Sequence, residues 1–181
     1  GVPGPVSIVL HTRASREFVR QVEAVFGRGT VAIVDQDDAA GIARALETAE
    51  VLLHVLTPVT PEMIAAAPRL KLIQKLGVGV NTIALDAARA HGVAVCNMPG
   101  TNSQAVAEAA LALVFAVLRR TPCFDRLTKA GQGWSADPDL IDSLGEISGR
   151  TVGLIGMGHS AQRLARALDA LGAQVIYTAR R

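Results

Sequence analysis

Thr151-Val152-Gly153-Leu154-Ile155-Gly156-Met157-Gly158-His159-Ser160-Ala161 is the stretch whose reading decides the fold. It opens as a short apolar run with the character of a buried strand. It breaks at Gly156-Met157-Gly158 and continues as a helical pattern, with Leu164, Leu168 and Leu171 on one face. After Gly172 a second apolar run begins, Val175-Ile176-Tyr177. Strand, glycine turn, helix, strand is the context that a dinucleotide fingerprint requires. Gly156 permits the tight turn, and Gly158, without a side chain, lets a pyrophosphate approach Met157 and the backbone beside it. The amides of His159 and Ser160 then face the phosphate from the helix N-terminus. Ala161, the third small position, still allows close helix–strand packing.

Working outward, half of the 181 residues are hydrophobic and only 3% aromatic, so the core is built from Ala, Val, Leu and Ile. Buried parallel strands covered by helices have that composition. The length suits one domain and part of a second, at ~100–200 residues each. Net charge is +2, and no basic run exceeds Arg119-Arg120 or Arg180-Arg181, which argues against a nucleic-acid partner. Cys96 and Cys123 lie in apolar surroundings at no metal-ligand spacing and read as small buried hydrophobes of a reducing compartment. Ala105–Leu118 is apolar but carries Glu108 and is shorter than the ~20 residues of a membrane span. No basic n-region precedes an apolar stretch at the start. The expectation is a soluble cytoplasmic protein without metal or membrane partner.

The first hundred residues alternate strand and helix signals. Strands are expected at Val6–Leu10, Thr30–Val34, Val51–Leu56, Leu70–Lys75 and Val93–Cys96. Helices are expected at Ser15–Phe26, with Phe18, Val22 and Val25 on one face, at Ala39–Glu47, after the Thr60-Pro61 cap, and at about Ile83–Ala90 ending on Gly92. Such alternation argues for a parallel sheet with helices on both faces. Asn97-Met98-Pro99-Gly100 reads as a boundary. Asn102 or Ser103 then caps a long helix, Gln104 to about Arg119, apolar nearly all round and therefore expected to be buried on most sides. Gly131–Gly149, with the only Trp, Trp134, reads as a loop.

Four linked segments carry a family resemblance. They are Lys71-Leu72-Ile73-Gln74-Lys75-Leu76-Gly77-Val78-Gly79-Val80-Asn81, His91-Gly92-Val93-Ala94-Val95-Cys96-Asn97, Asn102-Ser103-Gln104-Ala105-Val106-Ala107-Glu108 and Gly149-Arg150-Thr151 through Gly158. In order and spacing they resemble the D-isomer-specific 2-hydroxyacid dehydrogenases. The resemblance implies an α/β chain of two doubly wound parallel-sheet domains. Residues 1–100 correspond to a flavodoxin-like substrate domain, and 101–181 to the first part of a Rossmann nucleotide domain. It implies that the backbone amides of Val78 and Gly79 hold a substrate carboxylate, to which two glycines in four residues are suited. Val106 matches a position near the nicotinamide, a reading compatible with core packing. The family's catalytic Arg, and its His paired with Glu or Asp, lie beyond the nucleotide fingerprint, so no catalytic residue is assigned here. His11, His54, His91 and His159 are not candidates for that acid–base. Glu108 is either a partner for a residue elsewhere or a solvated helix edge.

The implied activity is reduction of a small 2-keto acid, glyoxylate or hydroxypyruvate, to the D-2-hydroxy acid by a homodimer. Phosphoglycerate is less favoured, because no extra phosphate-binding cluster is visible. A non-catalytic cofactor-binding regulator of the C-terminal-binding-protein type is the rival. An NAD site places an acid ~20 residues after the first glycine. Here that position falls in Ile176-Tyr177-Thr178-Ala179-Arg180-Arg181, which contains no acid. An arginine fork suits a 2′-phosphate, and the ending resembles the NADP-using glyoxylate reductases. NADP is therefore expected over NAD, with Ala179 in the acid's place, Arg180 as the main ligand and Arg181 supporting it.

Overall fold

Short apolar runs pair side by side into the first sheet. The computed structural model describes residues 6–180. Strands β1 (Ile8–His11), β2 (Val31–Val34), β3 (Val51–His54), β4 (Leu72–Lys75) and β5 (Ala94–Cys96) are all parallel, in the order β2-β1-β3-β4-β5. That is the flavodoxin-like doubly wound order, in which strand order reverses beside β1. The period of two puts Val9, Leu52 and Ile73, which are register partners, on one face, and Leu10 and Leu53 on the other.

Each face has its own helices. The first face is covered by α2 (Ala39–Leu46), α3 (Pro61–Ala65) and α4 (Leu85–Ala90), through Ile42, Leu46, Ile64 and Ala88. The second is covered by α1 (Arg16–Phe26), through Val22 and Phe18. Val25, expected on that apolar face, is exposed. Leu10, Leu46, Leu52, Ile64 and Ile73 are fully buried, each contributing about 1.5–3 kcal/mol. Side-chain caps set the helix starts. Ser15 accepts from the Phe18 amide at 3.1 Å, Asp38 from Gly41 at 2.8 Å and Thr60 from Met63 at 3.3 Å. A Cβ on Gly41 would lie 2.0 Å from the Asp38 carboxylate, so glycine there makes room for the cap.

The chain divides into two compact units, 1–99 and 100–181. The second contains α5 (Ser103–Leu118), α6 (Thr121–Lys129), α7 (Pro138–Asp142), β6 (Thr151–Ile155), α8 (His159–Ala170) and β7 (Gln174–Thr178). β6 and β7 form a parallel pair. One face of the pair packs with α5 and α8 on Leu168, Ile147 and Ala173. Its opposite face leaves Ile155 and Ile176 exposed.

Several expectations need correction. α5 is not buried on most sides within its unit, since Leu113 and Val117 stand about two-thirds exposed. α8 and the β6–β7 pair cover a single stripe of it. α7 lies inside the segment read as a loop, and α6 precedes it. Asp137 accepts from the Asp139 amide at 2.8 Å and Pro138 starts the helix, a local signal outweighed by the surrounding glycines. Cys96 is exposed and Cys123 half-buried, so neither is a core residue. Cys96 ends β5, an edge strand, and Cys123 sits in α6, which buries no residue.

Candidate functional site

In the first unit the candidate carboxylate loop leaves the carboxyl end of β4. Its carbonyls are tied down. The Met98 amide donates to the Gly77 carbonyl at 2.8 Å, and Asn97 Nδ2 donates to the Val78 carbonyl at 2.9 Å. The amides of Val78 and Gly79 have no protein acceptor among the described residues, and both residues are exposed. Two adjacent N–H groups without partners, on a loop held by its oxygens, can accept an anion. Neither glycine takes a positive φ, so torsion is not what selects glycine here. Space is the reason. A Cβ on Gly77 would meet Lys75 Cε at 3.2 Å, and one on Gly79 would meet Asn81 Oδ1 at 3.0 Å.

Three basic side chains form a row beneath this edge. His11, His54 and Lys75 are register partners at the ends of β1, β3 and β4, and all are buried. The Lys75 ammonium donates to the Val55 carbonyl. His54 Nε2 lies 2.8 Å from the Thr57 carbonyl, which makes it the protonated nitrogen, and 3.3 Å from Thr82 Oγ1. Burial, then the Lys75 charge, pushes the His54 imidazole below its ordinary range, against the Thr57 carbonyl that raises it. His54 therefore stays neutral and braces the β3–α3 connection.

In the second unit the turn Gly156-Met157-Gly158 joins β6 to α8. Gly156 has φ +94°, a conformation that L side chains rarely adopt, and its amide donates to the Thr178 carbonyl at 2.7 Å. Gly158 has an ordinary φ of −76° and nothing within 4 Å of where a Cβ would stand. The protein itself makes no demand for glycine there. No side chain caps α8, so the amides of its first turn, from His159 and Ser160 onward, are free for an anion. Gln162 Nε2 holds the Met157 carbonyl at 3.1 Å. An open cradle at an uncapped helix start fits a dinucleotide pyrophosphate.

The remaining candidates scatter more widely. Ala179 and Arg180 follow β7 and are exposed, and Arg181 lies outside the described residues. Val106, on α5, is 46% exposed and so is not core packing. Glu108 is a solvated helix edge with a local partner. It accepts from Gln104 Nε2 at 2.7 Å, and Gln104 in turn accepts from Arg163 of α8 at 3.0 Å. His91 Nδ1 lies 2.9 Å from the Ala87 carbonyl of its own helix, and His159 opens α8. Asn97 and Lys75 stand within the family segments but have no role that the sequence assigns. The asparagine amide reaching across to the Val78 carbonyl could not be read from spacing. Among the described residues no cluster of His, Cys, Asp or Glu could hold a metal, and no helix is long and apolar enough to cross a membrane.

Residues 8–179 match the family described as D-isomer specific 2-hydroxyacid dehydrogenase, catalytic domain. A D-3-phosphoglycerate dehydrogenase of Mycobacterium bovis is 38% identical over 144 residues, which is 79% of this chain and 26% of that protein. The crystal structure of a D-lactate dehydrogenase from Aquifex aeolicus, complexed with NAD and lactic acid, superposes with a TM-score of 0.80 at 26% identity. The match covers 96% of this chain and 52% of that one. A glyoxylate reductase from Paecilomyes thermophila shares the fold, with a TM-score of 0.73 at 21% identity over 97% of this chain and 56% of that one. The chain thus spans about a quarter of the mycobacterial relative and about half of each solved structure.

Proposed function

The chain belongs to the D-isomer specific 2-hydroxyacid dehydrogenases, and on that premise we propose that the protein reduces a small 2-keto acid to its D-2-hydroxy acid. Residues 1–100 are its substrate-binding part and 101–181 the first part of its dinucleotide-binding domain. The observation that carries the reading is the pair of unpartnered amides at Val78 and Gly79 on a loop fixed by its carbonyls. They take the substrate carboxylate and set the direction of the keto group. Gly156, Gly158 and the first turn of α8 take the pyrophosphate, and Val106 stands at the nicotinamide. A bound nicotinamide supplies the hydride. The Val78 and Gly79 amides orient the substrate, which converts an encounter into a positioned reaction. None of the four histidines is assigned the proton. His11 and His54 are buried in the sheet edge, and His91 and His159 serve helix ends.

Two substrate readings stand side by side. Glyoxylate or hydroxypyruvate follows from the family resemblance. The mycobacterial relative, a D-3-phosphoglycerate dehydrogenase, supports a phosphorylated substrate equally well. The likeness to the glyoxylate reductase is one of fold. Steady-state kinetics of the intact protein with glyoxylate, hydroxypyruvate and 3-phosphohydroxypyruvate separate these readings by kcat/KM. No turnover of any of the three, with cofactor bound, favours a regulator that uses the fold only for binding.

Exposed Leu113 and Val117 on α5 support a homodimer. Sedimentation of the intact protein at micromolar concentration should give a dimer, and a monomer removes the assignment. NADP is preferred to NAD in this proposal, on Ala179 standing where an NAD site places its acid and on the presence of Arg180. The lactate dehydrogenase structure holds NAD, so cofactor titration decides between the two.

A further inference from the structure

Gln162 holds the nucleotide turn at two successive carbonyls. Its backbone amide donates to the Gly158 carbonyl at 3.0 Å, an ordinary bond of the first turn of α8. Its side chain turns back five residues, and Nε2 donates to the Met157 carbonyl at 3.1 Å. The second bond is not a helical one, and the residue making it is exposed. Burial therefore does not explain where this side chain sits. Nor does capping, because the free groups at a helix start are donors and this amide donates.

The consequence lies on the other side of the peptide unit. Among the described residues no peptide bond is cis, so the C=O and N–H of one unit point opposite ways. Holding the Met157 carbonyl turns the Gly158 N–H away from Gln162. That N–H has no protein acceptor among the described residues. Nothing stands within 4 Å of where a Gly158 Cβ would be, and a glycine rotates at little steric cost. Without the glutamine, this unit is free to offer an anion its carbonyl oxygen in place of its N–H. We propose that Gln162 is a positioning residue of the cofactor site, holding the Met157 carbonyl so that the Gly158 N–H faces the dinucleotide pyrophosphate. The inference rests on the pyrophosphate reading above and adds to it a residue outside the glycine fingerprint. The amides of His159 and Ser160 keep their aim without this side chain, because the helix itself holds the Gly158 carbonyl. Loss of the glutamine therefore weakens pyrophosphate binding without abolishing it.

The test compares the intact protein with Gln162→Met, which keeps the side chain's length and helix preference but has no donor. NADPH and NADH are titrated by fluorescence, ADP-ribose and adenosine by NMR. Gln162→Met should weaken NADPH, NADH and ADP-ribose about tenfold and leave adenosine, which carries no phosphate, unchanged. Gln162→Asn keeps the amide but is one methylene short of the carbonyl, and should weaken the same three ligands. Thermal melts of both variants should match the unmutated protein, since the residue is exposed. The inference is overturned, and the pyrophosphate reading left standing, if the unmutated protein binds ADP-ribose far more tightly than adenosine and Gln162→Met binds it equally well. Adenosine weakened as much as ADP-ribose would show a general loosening of the unit and overturns the inference too. An unmutated protein that binds ADP-ribose no better than adenosine removes the pyrophosphate reading itself, and this inference with it.

Discussion

The two glycine loops, Gly77-Val78-Gly79 after β4 and Gly156-Met157-Gly158 after β6, look alike in sequence and differ in why they need glycine. Each follows the carboxyl end of a parallel strand and presents free amides. In the first loop glycine answers to neighbours inside the protein, Lys75 Cε at 3.2 Å and Asn81 Oδ1 at 3.0 Å. In the second, Gly156 answers to torsion, at φ +94°, while Gly158 answers to nothing in the chain. A glycine that its own protein does not require points to something outside the protein. In the first loop the Gly77 and Val78 carbonyls are held by the Met98 amide and Asn97, whereas in the second Gln162 holds the Met157 carbonyl and the Gly156 amide donates to Thr178.

The sharpest way to break this contrast is at Gly158. A valine there meets no protein atom within 4 Å and should cost under about 1 kcal/mol of stability as a poorer helix cap. It should nevertheless block the pyrophosphate. Losing two charge-assisted amide contacts at about 1.5–3 kcal/mol each lowers cofactor affinity more than about a hundredfold. Gly156→Val should instead lose about 1–3 kcal/mol of stability by strain. Thermal melts beside cofactor titrations read both, and a Gly158→Val protein that binds cofactor normally removes the pyrophosphate assignment.

Next in size is Arg180→Ala. Loss of one charge-assisted contact, about 1.5–3 kcal/mol, should weaken NADPH roughly ten- to a hundredfold and leave NADH nearly unchanged. Equal weakening of both cofactors, or an unmutated protein that prefers NADH, overturns the NADP preference. In the first loop, Gly79→Val should raise KM for the keto acid about tenfold by crowding the anion, with cofactor affinity unaltered. Unchanged kinetics would end the carboxylate assignment.

The smallest effect is one of pH. His54 has its imidazole held below 6.5 in the folded protein, so the unfolded chain binds a proton that the folded one refuses. Stability is full above pH 6.5 and falls as pH drops below that value. His54→Gln should flatten the slope of unfolding free energy between neutral and mildly acidic pH. An unchanged slope would mean that another group titrates there.

Much of the fold was legible because its signals are local. Each strand of the first unit opens on contiguous apolar residues, and Ser15, Thr60 and Gly92 mark their helix ends through bonds or torsions within a few residues. The Gly156 turn was legible for the same reason. The exposure of α5 was not, because burial depends on which faces find partners, and apolar character alone cannot show that only one stripe does. The exposure of Cys96 is hidden for the same reason, since an edge strand and a central strand read the same in one dimension.

By itself, the sequence determined the strand–helix alternation, the positions of both glycine loops and the lack of an acid among residues 176–181. These depend on side-chain type and spacing along the chain, where torsional preference and periodicity act. Only the tertiary structure decided that the Val78 and Gly79 amides stand free while their neighbouring carbonyls are held, that His11, His54 and Lys75 share one row, and that Gly158 has empty space around it. Those facts arise from strand register and from contacts between residues far apart in sequence, set when the sheet closes its pairing and each buried polar group either meets a partner or is left without one.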